Sequence, residues 1–234
     1  MVAHAERPTR PVNSVQLVPS QVTRTRPGRV TVGTDGSYWG RAALGWAARH
    51  AYRAGLELDV YEADRRYEDL PADLPADIGT GSVLRPYPLL GARIRSSGAD
   101  AAAALLSASA ASGLLALGCR GQHKCHLGVG RNALLLAGSA HCDVVVVRGR
   151  PQAVHGEFRK VTAWLGEDAS DDVVIARAKD FARLTRSVLE VERQSATVPV
   201  PEGTDLVVVG GGAQLGLAAR TALHHAMCPV YVVR

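Results

Sequence analysis

Aromatic side chains are scarce in this sequence: 2 Phe, 6 Tyr and 3 Trp among 234 residues. A core of ordinary size must therefore be built mostly from Ala, Val and Leu. Lysine is scarcer still, with only Lys124, Lys160 and Lys179, so the net charge of +5 rests on arginine. The basic residues are spread along the chain and form no stripe interleaved with aromatics, which argues against a nucleic-acid-binding surface. The pI near 9.3 instead suits anionic partners, nucleotides included. Four cysteines at uneven spacings do not make a disulfide framework for a chain of this size. The first residues lack the apolar core of a secretory signal, and residues 1 to about 27 are expected to form a flexible tail. No apolar run is long enough to span a bilayer. The nearest, "ADAAAALLSASAASGLLALG", is punctuated by serines and a glycine and reads as helix, turn and buried strand. These absences lead to the expectation of a soluble cytoplasmic protein. There is no GxSxG elbow, no GxxxxGK[ST] phosphate loop and no HExxH, so no catalytic residue is nominated.

What is present is a regular alternation. Val30 to Val32 is a short apolar run that meets "GTDGS". Ala42, Ala43, Leu44, Trp46, Ala47 and Ala51 then recur at helical spacing, Gly55 stops the helix, and Leu56, Leu58 and Val60 begin a second strand. Such a strand–helix–strand unit predicts a parallel pair with a right-handed crossover. From Asp64 to Pro88 the Pro, Asp and Gly content predicts loop with little helix. "LLGARIRSS" reads as a third strand, Ala101 to Ala111 as a helix and Leu114 to Leu117 as a fourth strand. Asn132 to Ala137 is part of a further helix, and Val144 to Val147 is a fifth strand.

The chain then restarts. "AHCDVVVVR" (140–148) is echoed by "AMCPVYVVR" (226–234), "SGLLALG" by "TDLVVVG", and "VTVGTDGS" by "VTAWLGEDAS". The echoes fall in one order, which indicates an internal duplication. The second copy is smaller: Asp35 to Gly118 spans 83 residues, Asp168 to Gly210 only 42, so a third strand and its flanking helix are expected to be missing. The expected organisation is a tail (1–27), an α/β domain (28–149), a linker (150–159) and a truncated α/β domain (160–234). "VVVVR" and "VYVVR" look like edge strands with apolar faces, and unpaired edges invite pairing. The two copies are therefore expected to join through them as an intramolecular pseudo-dimer, with a further homodimer left open.

"VTVGTDGS" followed by "AALGWAARHA", "SGLLALGCRG" and "AHCDVVVVR" resembles the universal stress protein domain, well over residues 29–149 and partially over 160–234. The resemblance implies a Rossmann-like open parallel sheet flanked by helices, strand order 3-2-1-4-5, here duplicated with a smaller second copy. It also implies association through fifth strands and ATP binding in the nucleotide-binding members. Those members carry Gly, two residues, Gly, nine residues, then Gly followed by Ser or Thr. Gly118, Gly121 and Gly130 fit the glycines, but only eight residues (122–129) separate the last two, and Arg131 stands where a hydroxyl is expected.

The residues support the same location independently. In open α/β sheets ligands sit beyond the carboxyl ends of strands where strand order reverses. Asp35 ends the first strand, and the loop from Gly118 to Asn132 follows the fourth. Backbone amides of a glycine loop entering a helix suit phosphate. The candidate nucleotide-binding residues are Asp35, Ala63, Gly118, Arg120, Gly121, Gly130, Arg131 and Asn132, for ATP with or without Mg²⁺. Asp35 can equally be a turn residue, since "TDGS" is good turn chemistry. Function is thus expected to be stress regulation through an adenine nucleotide, with at most weak ATP hydrolysis, or a nucleotide-free module acting on a protein partner. A ligase-type Ser-Gly-Gly-x-Asp-Ser loop is only partly present.

Other features are read as structural. "GGGAQLG" after Asp205 lacks the acidic residue that a dinucleotide fingerprint needs about 20 positions on, since the 18 residues after Gly216 include none, and so is a tight strand-to-helix turn. Cys119, His123, Cys125 and His126 crowd one loop, whereas structural zinc usually draws on two separated ligand pairs. Cys142 and Cys228 are expected to be small buried residues. His224 and His225, adjacent on a helix, point in different directions.

Overall fold

β1 (Arg29–Thr34) alternates its side chains between two helical layers, and every later central strand does the same. The computed structural model describes residues 28–63, 79–121, 128–166, 171–194, 200–212 and 214–234. The expected tail, His123, Cys125, His126 and Asp168 lie outside the described residues.

After β1 come α1 (Tyr38–Ala54), β2 (Glu57–Glu62), α2 (Thr80–Leu84), β3 (Ala92–Ser96), α3 (Ala101–Ser109), β4 (Leu114–Gly118), α4 (Arg131–Ser139) and β5 (Asp143–Val147). A short α5 (Pro151–Val154) leads to β6 (Lys160–Leu165), α6 (Asp171–Thr185), β7 (Val188–Arg193), β8 (Leu206–Gly210), α7 (Leu217–His225) and β9 (Val230–Val233). Local chemistry sets the ends. Ser37 caps α1 by accepting from the Gly40 amide at 3.0 Å, and Gly55 closes it in the left-handed conformation (φ 65°). Asp100 caps α3 through the Ala103 amide.

The strands make one nine-stranded sheet in the order β3-β2-β1-β4-β5-β9-β8-β6-β7. The first five strands thus have the order 3-2-1-4-5, all parallel. β9, β8, β6 and β7 repeat it in reverse without a counterpart of β3 among the described residues, and they too are parallel. Among the described residues the one antiparallel junction is β5 with β9, where Val144 faces Val232 and Val146 faces Val230. The two strands whose apolar edges were expected to pair with each other do so, and together they form the middle of the sheet. All five residues of β5 and all four of β9 are buried.

One core lies under α1 and α6, with Val30, Val60, Ala116, Val145 and Val208. The other lies under α3, α4 and α7, with Leu115, Val144, Val146, Val207 and Val232. The scarcity of aromatics is met by alanine: Ala43, Ala47, Ala48 and Ala51 of α1 are fully buried and bring that helix close to the sheet. The segment 150–159 does more than link. Its Ala153 and Val154 are buried, and Gly149 before it has φ 93° with Met227 so close that a Cβ would overlap the Met227 carbonyl.

Polar groups reinforce the junction. Asp143, 1% exposed, accepts from the Tyr231 hydroxyl (3.0 Å) and the Arg234 amide (2.9 Å), and meets Arg177 of α6 at 3.0 Å. Arg148, after β5, reaches the carbonyls of Leu223 and His224 at the end of α7. Arg234, after β9, reaches the Ala140 carbonyl at the end of α4 (3.2 Å) and that of Gly212 (2.9 Å). Each half thus supplies an arginine to the carbonyl end of the other half's helix, where a cation is favoured. The repeated final Arg of the two echoes has this structural reason.

Candidate functional site

β1 and β4 are parallel neighbours, Val32 beside Ala116, so Thr34 and Gly118 end side by side. The chain leaves them in opposite directions across the sheet, which makes this the switch point of the first half. The carboxylate of Asp35 folds into the turn that follows it: its Oδ1 accepts from the Ser37 amide at 3.0 Å, and Gly36 takes φ 75°. This is an Asx turn feeding the N-cap of α1. Arg41 of α1 braces the turn by donating to the Gly36 carbonyl at 2.6 Å.

The glycines at the end of β4 are there for close approach. A Cβ at Gly118 would lie 2.6 Å from the Trp39 backbone, and one at Gly121 would lie 2.8 Å from Asp35 Oδ2. Gly40, which sequence reasoning missed, is held to glycine from the other side, since its Cβ would meet Asp35 Oδ1 at 2.6 Å. The spacing of Gly118 and Gly121 is thus matched to Trp39 and Asp35. Gly130 donates to the Cys119 carbonyl at 2.7 Å, closing the base of the loop, and is the N-cap of α4.

Among the described residues no side chain caps α4, which leaves its first-turn amides, those of Arg131 and Asn132 included, available to an anion. Both residues are exposed. Ala63 stands just beyond β2, half-buried, with its amide on the Thr34 carbonyl at 2.9 Å, one strand over from Asp35. Arg120 is half-buried with its guanidinium 6.0 Å from the Trp39 ring centre, and its Nε is buried without a hydrogen bond. All eight sequence-nominated residues therefore gather around the carboxyl ends of β1, β2 and β4.

The surroundings are cationic. Arg148 lies beyond the loop, and burial, with the like charge of Arg120 adding to it, holds its guanidinium below the usual value. Burial raises the Cys119 thiol, against a hydrogen bond from Arg120, so that Cys119 is a neutral buried thiol. Cys228 is likewise pushed up to about 12 by burial. Cys119, Cys142 and Cys228 are all buried, in keeping with a packing role. Among the described residues no three metal-ligand side chains converge. Residues 122–127, which hold the shortened spacer, lie outside the described residues.

Arg148 and His224 were missed as neighbours of this loop. A Cβ at Gly128 would lie 3.6 Å from His224 Nδ1, so the end of α7 borders the first half's loop. The only sequence signal was the arginine shared by both echoes. The corresponding loop of the second half is short. Gly211 donates to the Val233 carbonyl at 2.8 Å, as Cys119 does to Val147 at 3.0 Å, and Gly216 caps α7 as Gly130 caps α4. Six positions separate Gly210 from Gly216, against twelve from Gly118 to Gly130, which is the expected tight turn.

Neither a family model nor a curated relative matches the sequence. Solved structures do match. A putative universal stress protein from Pseudomonas aeruginosa superposes with a TM-score of 0.64 at 14% identity, over 88% of this chain and 93% of the other. A universal stress protein from Archaeoglobus fulgidus gives 0.59 at 11% identity, over 88% and 98%. A second Pseudomonas aeruginosa protein, described as functionally unknown, gives 0.63 at 14%, over 88% and 92%. No helix among the described residues is long and apolar enough to cross a membrane.

Proposed function

We propose, for a chain that has the universal stress protein fold, a cytoplasmic regulatory role in stress response exercised through one adenine nucleotide, ATP with or without Mg²⁺, bound in the first half. In this reading 28–149 and 160–234 are tandem domains, the second truncated and without a site of its own. The observation that carries the reading is the pairing of an uncapped α4 with glycines at 118, 121 and 130 that keep the loop backbone bare beside Asp35. Asp35 and Ala63 serve the base and ribose, while Gly118, Gly121 and Gly130 with the amides of Arg131 and Asn132 cradle phosphate. Arg120 and Arg131 offer the phosphate charged donors in place of the hydrogen bond that a Ser or Thr hydroxyl would give. A guanidinium offers a bidentate fork to phosphate, and charge-assisted bonds are about twice as strong as neutral ones. No general base stands among these residues, so hydrolysis is at most weak.

Calorimetric titration with ATP and Mg²⁺ tests this. The native chain should bind one equivalent. Asp35→Ala should bind roughly ten- to a hundredfold more weakly, the loss of about 1.5–3 kcal/mol expected of one hydrogen bond to a charged group. Gly121→Val should abolish binding, because its side chain occupies the carboxylate's place. Heat absent from the native titration would leave the second reading, a nucleotide-free module that acts on a protein partner. One observation favours that reading: Asp35 already has a structural task in the Ser37 turn and in contact with Gly40.

A further inference from the structure

The sheet ends on two strands of opposite character. Among the described residues β3 pairs only with β2, and β7 only with β6. Every residue of β3 is exposed, and none of β7 is fully buried. Along both, side chains alternate between the two helical layers. On β3, Ile94 lies beside Val60 and faces the layer of α1 and α6, while Arg93 and Arg95 lie beside Asp59 and Tyr61 and face the other layer. On β7, Leu189 and Val191 lie beside Val161 and Ala163 and face the layer of α1 and α6. Arg193 shares that face and reaches Asp171 of α6 at 2.7 Å. Glu190 and Glu192 face the other way.

Each edge thus turns an exposed apolar residue to one layer, Ile94 at 52% and Val191 at 48%, and two charges to the other. The charges are positive on β3 and negative on β7. Arg93 already meets Glu57 and Asp59, and Glu190 meets Lys160 at 2.6 Å. Arg95 and Glu192 have no ion pair among the described residues.

Strand direction sets how these edges can meet. The first five strands run one way and the last four the other, so β3 and β7 are antiparallel. A second copy that continues the sheet, with its helical layers on the same sides, therefore brings its β7 antiparallel to β3. With Ile94 opposite Val191, Arg93 falls opposite Glu192 and Arg95 opposite Glu190. Apolar residues then meet on one face, and on the other Lys160, Glu190 and Arg95 alternate in sign across the joint. Opposite charges directly across a strand pair stabilise it, and like charges destabilise it. Pairing of like edges about a twofold axis meets the second condition. β3 on β3, centred on Ile94, sets Arg93 against Arg95, and β7 on β7, centred on Val191, sets Glu190 against Glu192.

We propose that copies of this chain associate end to end, β3 of one with β7 of the next. Such a contact joins unlike surfaces and leaves an unlike edge free at each end, so it builds an open series rather than a closed pair. Each joint uses five residues of one strand and six of the other, which makes the association weak and reversible.

Sedimentation equilibrium of the full chain over a rising concentration series tests this. The average mass should climb past two copies without levelling. Arg95→Glu alone and Glu190→Arg alone should each associate at least tenfold more weakly, because each sets like charges opposite at that position. Mixed in equal amounts, the two variants should associate again, since each then complements the other, and mixing repairs no defect of folding. Should either variant fail to fold by circular dichroism, the native series is repeated at about 1 M salt, where the charges are screened. Severalfold weaker association there supports the pairing, and unchanged association overturns it. A native chain that stays single throughout, a mass that levels at two copies, or a mixture that regains nothing would also overturn the proposal.

Discussion

The two halves of this sheet share a plan and differ in what surrounds it. Both place a glycine at the end of the strand next to the junction (Gly118, Gly210), an amide from the following residue on the neighbouring strand, and a glycine N-cap on the next helix. The first half then spends twelve positions between strand and cap where the second spends six, and carries β3 where the second has no equivalent among the described residues. The interior of the repeat is kept and its loops are not. The reason is physical: the central strands are buried on both faces, whereas a surface loop can shorten at little entropic cost. The halves also differ at one buried point. The echo sets Pro229 against Asp143, so only one half supplies the carboxylate that ties the junction together.

This comparison can be broken or sharpened by experiment. The largest effect is expected at Gly149, where φ is 93° and Met227 leaves no room. Gly149→Val combines left-handed strain with overpacking and should cost on the order of 4 kcal/mol, read by urea denaturation. A variant that unfolds with a native midpoint would show that the close crossing of the halves is dispensable. Asp143→Ala strands Arg177 and removes two further partners, and should cost about 3 kcal/mol, near the lower end for a buried pair because Arg177 is half-exposed. A cost below about 1 kcal/mol would make the asymmetry with Pro229 irrelevant to stability.

Next comes pH. The folded-state pKa of His50 is lowered from 6.5 to about 4 by burial and by Arg53, so the unfolded chain takes up the proton first as pH falls. The contribution of this residue is full above pH 6.5, declines through the window from 6.5 to 4 and is lost below it. Its size should be about 2 kcal/mol, allowing for partial solvent access. His50→Phe should flatten that window in a stability–pH profile, and an unchanged slope would refute the assignment. The smallest effect tests the exchange of arginines. Arg148→Met and Arg234→Met should each cost about 1 kcal/mol, since each loses charged bonds to helix-end carbonyls at a half-exposed site. Losses that differ by more than about 1 kcal/mol would break the equivalence of the two ends.

Much of the fold was readable because burial writes itself into periodicity. Val30, Val32, Leu58 and Val60 announced two strands, Ala43 to Ala51 a helix, and the ordered echoes a second set of strands. The place of the first loop's glycines beyond the fourth strand was legible from spacing, but the reason for Gly121 was not. Only the folded chain brings Asp35, Gly40 and Gly121, which are up to 86 residues apart in sequence, into contact. The segments 140–148 and 226–234 read as apolar edges that would pair with each other, and β5 and β9 are paired; the antiparallel direction of that pairing was not legible in the sequence.

The sequence by itself determined a duplicated parallel α/β sheet, the position of its switch point and the shorter loop of the second copy. Those follow from alternation, glycine placement and spacing, which are local or repeated properties of the chain. The tertiary structure alone decided that the expected pairing of β5 with β9 is antiparallel, that Arg148 and Arg234 exchange helix ends, and that His50 stacks between Trp46 and Phe181. These contacts join residues remote in sequence across the junction of two halves, and no periodicity within either half encodes them.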